Sequence, residues 1–167
     1  MSHLSYRNAT MNDLRGIVKI YNSTISSRMV TADTEPVKVE SRYNWFHEHH
    51  PDTRPLWVVE DEEKQMVGWV SFQSFYGRPA YAATAEISIY LDPSQRGKGL
   101  GKEILAYTMK EAKTFGIKTL LGYIFAHNEP SLKLFSQFGF EEWAMLPDIA
   151  LLDGVERSLK ILGKRIT

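Results

Sequence analysis

Cysteine is absent from the 167 residues. That excludes a disulfide framework, a cysteine-based metal site and a thiol nucleophile, and it leaves no bridge to report a secretory compartment. Charge of one sign is missing too, since 20 basic and 20 acidic side chains give a formal net charge of zero. Without a large field there is no general reason to expect nucleic acid or an anionic membrane as partner, although local basic patches fit that balance. No stretch approaches the roughly 20 apolar residues of a bilayer span, and Met1 to Thr10 lacks the apolar core of a signal peptide. The expectation is a soluble, cytoplasmic protein. Internal repeats, low-complexity tracts and flexible linkers are also missing. What is present is 43% hydrophobic and 12% aromatic residues, which argue for a packed core and against disorder. The length fits one domain over 1–167.

Along the chain, Thr10 and Asp13 form a capping-box pattern ahead of Leu14, Ile17, Val18 and Tyr21 at helical spacing. Pro36 and Ser41 to Phe46 predict a second helix ending before Pro51, with "MVTADTEP" as an ordered loop between the two. "LWVVED" and "MVGWVSFQSF" read as strands joined by the charged turn Glu62 to Gln65. "YGRPAYAAT" then breaks the pattern before the strand "AEISIYL". There Ala85, Ile87, Ile89 and Leu91 share one face, and Glu86, Ser88 and Tyr90 the other. "SQRGKGLG" leads into a helix striped by Leu105, Met109 and Ala112, followed by strand "TLLGYIF", turn "AHNEP" and a helix from Ser131 to Phe138. Gly139 stops it, and "FEEWAML" and "RSLKILGKRI" read as closing strands. The pattern is α/β with mixed strands.

The strongest local signal is Arg96, Gly97, Lys98, Gly99, Leu100, Gly101 between a strand and a helix. Glycines expose backbone N–H groups, and a helix start adds unpaired donors and a positive dipole end, so the turn suits a pyrophosphate. It fits neither the dinucleotide fingerprint nor the nucleoside-triphosphatase loop, and a tight structural turn is its plain alternative. With its Arg-x-x-Gly-x-Gly pattern the sequence resembles the GCN5-related N-acetyltransferase (GNAT) superfamily. More narrowly it is similar to the phosphinothricin and methionine sulfoximine acetyltransferase family, through "IYNSTI", "TADTEP", "YGRPAY", "TAEISIYL", "QRGKGLG" and "HNEPSLKLFSQFGF" in the expected order.

That resemblance implies a mixed, mostly antiparallel central sheet flanked by helices and splayed between its fourth and fifth strands. Acetyl-CoA would lie in the opening, its pantetheine arm along Ile89, Tyr90 and Leu91. Its pyrophosphate would lie on Arg96, Gly97, Lys98, Gly99, Leu100, Gly101 and Lys102, with Asn128 contacting the cofactor; the plain alternative for Asn128 is a helix N-cap. No metal is implied. Glu86 matches the catalytic acidic position and would take the ammonium proton of the acceptor, directly or through water. Read from residues alone, Glu86 is equally an internal salt-bridge partner. The resemblance also implies a small amine or amino-acid analogue as acceptor, such as phosphinothricin, methionine sulfoximine or methionine sulfone, and a homodimer. It places Arg78, Pro79 and Ala80 with Glu86, Ile87 and Ser88 on the acceptor side. Arg78 has the fork of donors that a carboxylate or phosphinate needs, and Tyr76 and Tyr81 have rings to wall an apolar group.

Many relatives in the superfamily place a tyrosine where this chain has Phe135, which has no proton to give a departing thiolate. Tyr123 is a substitute, or else a ring packed beside the sheet. Thr31 and Glu35 are candidates to close the pocket, with Glu35-Pro36 also an ordinary helix start. His47, Glu48, His49 and His50 lack the spacing of a zinc motif and read as a solvated helix end. His127 reads as a turn or pocket-lining residue. Trp143, Leu146 and Ile149 fit a dimer face or the monomer core equally.

Overall fold

A computed structural model describes residues 3–167. Its centre is a sheet whose strands lie in the order β1-β2-β3-β4-β5-β7-β6. These are β1 Ser5–Asn8, β2 Leu56–Glu60, β3 Met66–Ser74, β4 Thr84–Leu91, β5 Thr119–Phe125, β6 Glu141–Leu152 and β7 Val155–Arg165. The helices are α1 Leu14–Ser23, α2 Tyr43–His47, α3 Leu100–Ala112 and α4 Glu129–Gln137. Every adjacent pair of strands is antiparallel except β4 and β5, which are parallel and joined through α3. This is the mixed, mostly antiparallel α/β architecture expected from the sequence.

Helices cover both faces. On one, α1 lays Ile17 and Ile20 on Leu56, Val58 and Trp69, and the Trp69 indole N–H donates to the Ile17 carbonyl at 3.1 Å, fixing α1 on the sheet. On the other, Leu100, Ile104 and Leu105 of α3 and Phe135 of α4 meet Val70, Phe72, Ile87 and Leu120. β3 is buried on both faces from Val67 to Phe72, as its nearly continuous apolar run requires.

Two elements differ from the sequence expectation. β1 is not marked by any alternation; Ser5, Tyr6, Arg7 and Asn8 pair as an edge strand with β2, and Tyr6 stacks on Tyr107 at 3.7 Å. The closing strands run longer than the apolar segments suggest, because Asp153 and Gly154, both at positive φ, turn β6 into β7 as a tight hairpin. β6 passes through Pro147 at an irregularity between Leu146 and Ala150, at the edge of the sheet where a missing N–H costs no ladder bond.

The feature that builds the site is the short β4–β5 ladder. Only Thr84, Ala85 and Glu86 find partners, in Thr119, Leu120 and Leu121. Beyond them β4 pairs with β3 alone and β5 with β7 alone, so the parallel strands part toward their carboxyl ends. The starts of α3 and α4 sit at that opening, the place where an open α/β sheet offers a ligand site.

Candidate active site

The backbone edge of β4 from Ile87 to Leu91 has no strand partner on the β5 side. A buried strand edge left without partners offers hydrogen bonds to an extended ligand. Next to it lies a cavity of about 470 Å³ bordered by Ile89, Tyr90, Leu91, Arg96, Gly97, Gly101 and Asn128, together with Leu134 and Phe135. Gly97 and Gly99 both hold φ near +76°, and a Cβ on either would meet nothing within 4 Å. The turn therefore needs glycine for its backbone conformation and for open space above its N–H groups, not for packing. Gly99 is the N-cap of α3, so the first free N–H groups of that helix face the same opening. An amide-rich arm ending in a pyrophosphate fits this combination of open edge, apolar wall and helix start.

Side-chain placement separates the expected cofactor residues into two groups. Leu100 points into the core, while Lys98 and Lys102 are exposed and do not border that cavity. Asn128 is buried and makes its cap: its Oδ1 accepts from the Ser131 N–H, and its Nδ2 donates to the Met29 carbonyl at 3.1 Å. Next to it, His127 Nε2 donates to the Arg28 carbonyl at 2.8 Å. These two bonds tie the loop after α1 across the opening to the β5–α4 turn. Phe135 lies against Gly122, where a Cβ would come within 2.9 Å of its ring. The missing side chain on β5 is what lets α4 approach.

A second cavity of about 250 Å³ lies on the α1 face. Its floor is two strands of alternating side chains, Glu86, Ser88 and Tyr90 on β4 opposite Gln73, Ser71 and Trp69 on β3. Trp69 and Tyr90 stack at 4.5 Å, and Tyr21, Arg42 and Trp45 complete the wall. Glu86 makes no ion pair or hydrogen bond with the described residues, so the internal salt bridge weighed from the sequence is not formed. Burial pushes its carboxyl above the ordinary range. A third cavity of about 70 Å³, bordered by Tyr123, shares Ser88 and Tyr90 with this cavity and Asn128 and Phe135 with the larger one. Tyr123 is thus a lining residue; burial first, then the charge of Glu86, raises its phenol.

His49 corrects the expectation of a solvated helix end. It is half-buried, with Nδ1 at 2.9 Å from the Trp45 carbonyl and Nε2 at 2.7 Å from Ser71 Oγ. A carbonyl only accepts, so Nδ1 carries the proton; burial lowers the pKa and favours the neutral ring, whose Nε2 accepts from the Ser71 hydroxyl. Ser71 is left with lone pairs for the cavity it lines. Among the described residues no cluster of His, Asp and Glu suits a metal ion.

The acceptor residues expected from the sequence are only partly gathered. Glu86 and Ser88 meet in the cavity, whereas the Ile87 side chain turns into the opposite core. Arg78, Pro79 and Ala80 form an exposed turn before β4 and border neither cavity in this chain. Tyr76 is 78% exposed, so it walls nothing here. Thr31 is buried and bonds to the Tyr21 hydroxyl, while Glu35 is exposed and the turn toward α2 begins only at Val39. The residues that sequence reasoning missed are Tyr21, Arg42, Trp45, Trp69, Ser71 and Gln73. The period-two run Trp69, Ser71, Gln73 facing Tyr90, Ser88, Glu86 was the available signal for half of them.

A parallel pair split at a helix start, with a carboxylate on the wall of the neighbouring cavity, suits a transferase that moves an acyl group from an extended phosphate-bearing thioester. The profile of the acetyltransferase (GNAT) family matches residues 17–140, and the chain belongs to that family. It is 52% identical, over 98% of this chain and 100% of the relative, to YwnH of Bacillus subtilis, named a putative phosphinothricin acetyltransferase. It is 29% identical, over 87% of this chain and 84% of the relative, to the L-methionine sulfoximine/L-methionine sulfone acetyltransferase of Pseudomonas aeruginosa. The crystal structure of a phosphinothricin acetyltransferase from Sinorhizobium meliloti in complex with acetyl-CoA superposes with a TM-score of 0.89 at 25% identity, covering 99% of this chain and 89% of that one. The chain is an acetyl-CoA-dependent N-acetyltransferase.

Proposed function

We propose that the enzyme acetylates the primary amine of a small amino-acid-like acceptor by direct transfer, with Glu86 taking or relaying the ammonium proton. The observation that carries this is the half-buried Glu86 carboxylate, without an ion-pair or hydrogen-bond partner among the described residues, on the wall of a cavity of about 250 Å³. An amine must be neutral to attack, and a carboxylate with a raised pKa is a stronger base than an exposed one. Acetyl-CoA supplies the activated acetyl group. Backbone groups of Ile89 to Leu91 and of the turn Arg96 to Lys102 hold it in place, with Asn128 beside its reactive end. Close placement of the amine adds to the rate, and no covalent acetyl-enzyme is required of a chain without cysteine. Glu86, Ile87 and Ser88 form the inner acceptor contacts, and Arg78, Pro79 and Ala80 its outer rim.

The names of the relatives point to phosphinothricin, methionine sulfoximine or methionine sulfone as acceptors. The cavity's size and its Arg42 argue against a polyamine or a protein amino terminus, since a polycation would meet a fixed positive charge. A screen of amino acids and small amines with acetyl-CoA, read by the mass of the product, tests the assignment. Acetylation of polyamines but not of amino-acid analogues overturns it.

We further assign the whole chain, 1–167, to one acetyltransferase domain working in the cytoplasm as a homodimer. Trp143, Met145, Ile149 and Leu151 are 48% to 65% exposed on the edge strand β6, which supports a second copy as their cover and removes them from the monomer core. Among the described residues no helix is long and apolar enough to cross a membrane. Sedimentation of the wild type against Ile149→Asp tests the dimer: a monomeric wild type would overturn it.

A further inference from the structure

We infer that Arg42, and not Arg78, reads the α-carboxylate of the acceptor and so restricts the enzyme to amino acids among small amines. This rests on the reading that the amine enters the Glu86 cavity. Arg42 is the cationic side chain among those lining that cavity, whereas Arg78 stands on an exposed turn outside it. The cavity thus carries one carboxylate and one guanidinium on its walls. A zwitterion places an ammonium and a carboxylate on adjacent atoms and complements both; a simple amine complements only one.

The guanidinium is already positioned for this task. Its Nη2 donates to Asp33 Oδ2 at 2.9 Å, and its Cζ lies over the Tyr21 ring, 4.8 Å from the centroid. Asp33 also accepts from the Tyr21 hydroxyl, so carboxylate and ring hold the arginine from two directions. Its remaining N–H groups have no partner among the described residues. An arginine fixed by one edge and one face has lost most of its rotamer freedom before the ligand arrives, so less entropy is lost on binding. The Arg42 side chain is 27% exposed and the Asp33 side chain 42%, so the fork is the more sheltered partner, and sheltered charge-assisted hydrogen bonds are the strong ones.

A competing role is mechanical: Arg42 and Asp33 could merely fasten the loop after α1 to the start of α2. The two roles differ in what Asp33→Asn does. A fastening role needs both partners, so Asp33→Asn would reproduce Arg42→Gln. In a recognition role the guanidinium makes the contact and Asp33 only positions it; the amide oxygen of Asp33→Asn can still accept from Nη2, so its loss is smaller than that of Arg42→Gln and falls on acceptors that carry a carboxylate.

The test measures kcat and KM at saturating acetyl-CoA for L-methionine sulfone and for 3-(methylsulfonyl)propan-1-amine, which lacks only the carboxylate. Wild type, Arg42→Gln, Arg42→Lys and Asp33→Asn are compared, with acetyl-CoA affinity and thermal unfolding measured separately. Expected for Arg42→Gln is a fall in kcat/KM of roughly 10- to 100-fold on methionine sulfone, carried by KM, against less than about threefold on the amine. Arg42→Lys, which keeps charge but loses the fork, falls between. Asp33→Asn loses less than Arg42→Gln on methionine sulfone, and less than about threefold on the amine. Equal losses on both acceptors, or an Asp33→Asn variant as impaired as Arg42→Gln, overturn the role of Arg42 and leave the acceptor class standing. A wild type that acetylates the amine but not methionine sulfone overturns both.

Discussion

On the β5 side of β4, the site is made of backbone. Its parts are a strand edge without a ladder partner, a turn held open by Gly97 and Gly99, and the first N–H groups of α3. On the β3 side it is made of side chains drawn from α1, the start of α2, β3 and β4. The difference follows from the ligand proposed for each half. A pantetheine arm and a pyrophosphate present repeated polar groups that any backbone can meet, so few side chains are prescribed. An amine acceptor needs a base, a counter-charge and a wall of defined shape, and these come only from named side chains. Affinity for the cofactor should therefore depend on glycine positions, and acceptor chemistry on a handful of polar residues.

The largest effect should come from the acceptor half. Glu86→Gln nearly preserves shape but removes the base, so turnover should fall roughly 100-fold. In wild type, activity should drop on the acid side at a pH above the ordinary carboxylate range, because burial raises the Glu86 carboxyl; in Glu86→Gln that limb should vanish. Equal turnover and an unchanged profile would remove Glu86 from the chemistry.

Next comes the cofactor half. Gly99→Val forces a β-branched residue into the left-handed region at the α3 N-cap. It should weaken acetyl-CoA by roughly 10-fold, the order expected for 1–2 kcal/mol of backbone strain or a displaced turn. Lys98→Ala, one residue away and exposed, should weaken it by less than about threefold, since an exposed charge is screened. A larger loss from Lys98→Ala than from Gly99→Val, by calorimetry, would break the contrast between backbone and side chain.

A smaller effect is expected at Ser71. Its hydroxyl donates to His49 and leaves lone pairs toward the acceptor cavity, so Ser71→Ala should raise the acceptor KM about fivefold while leaving acetyl-CoA affinity unchanged. Unchanged KM would mean that the His49–Ser71 bond serves packing alone.

The smallest effect is on stability. A carboxyl whose folded pKa is raised lowers stability when ionised and not when protonated. Glu86→Gln should thus raise Tm by up to about 3 °C at pH 7, with the gain shrinking to zero as pH falls below the ordinary carboxylate range. A Tm difference independent of pH would contradict a desolvated charge at this position.

The two halves also differ in how far the amino-acid sequence discloses them. Glycines in a strand–turn–helix context are local, so the turn at Arg96 to Gly101 and the cap at Asn128 can be read from adjacent residues. So can the alternation of Ala85 to Leu91, which places Glu86 on the face away from Ile87. The splay itself is visible only through family resemblance, because where β4 and β5 separate depends on pairing between residues about 35 positions apart. Arg42 lies outside any recognisable motif, in a short turn that looks like ordinary helix start, and only tertiary folding brings it to Glu86. Arg78 is the converse: a well-marked motif loop that lies outside both cavities of this chain. β1 was hidden because four mostly polar edge residues carry no periodic signal.

The central claim is that the two halves of the site serve two ligands separately across β4. Titration calorimetry of acetyl-CoA on wild type, Glu86→Gln and Gly99→Val tests it most directly. The account predicts affinity within about twofold of wild type for Glu86→Gln and roughly 10-fold weaker binding for Gly99→Val. Acetyl-CoA binding weakened as much by Glu86→Gln as by Gly99→Val, with both variants folded, would contradict it.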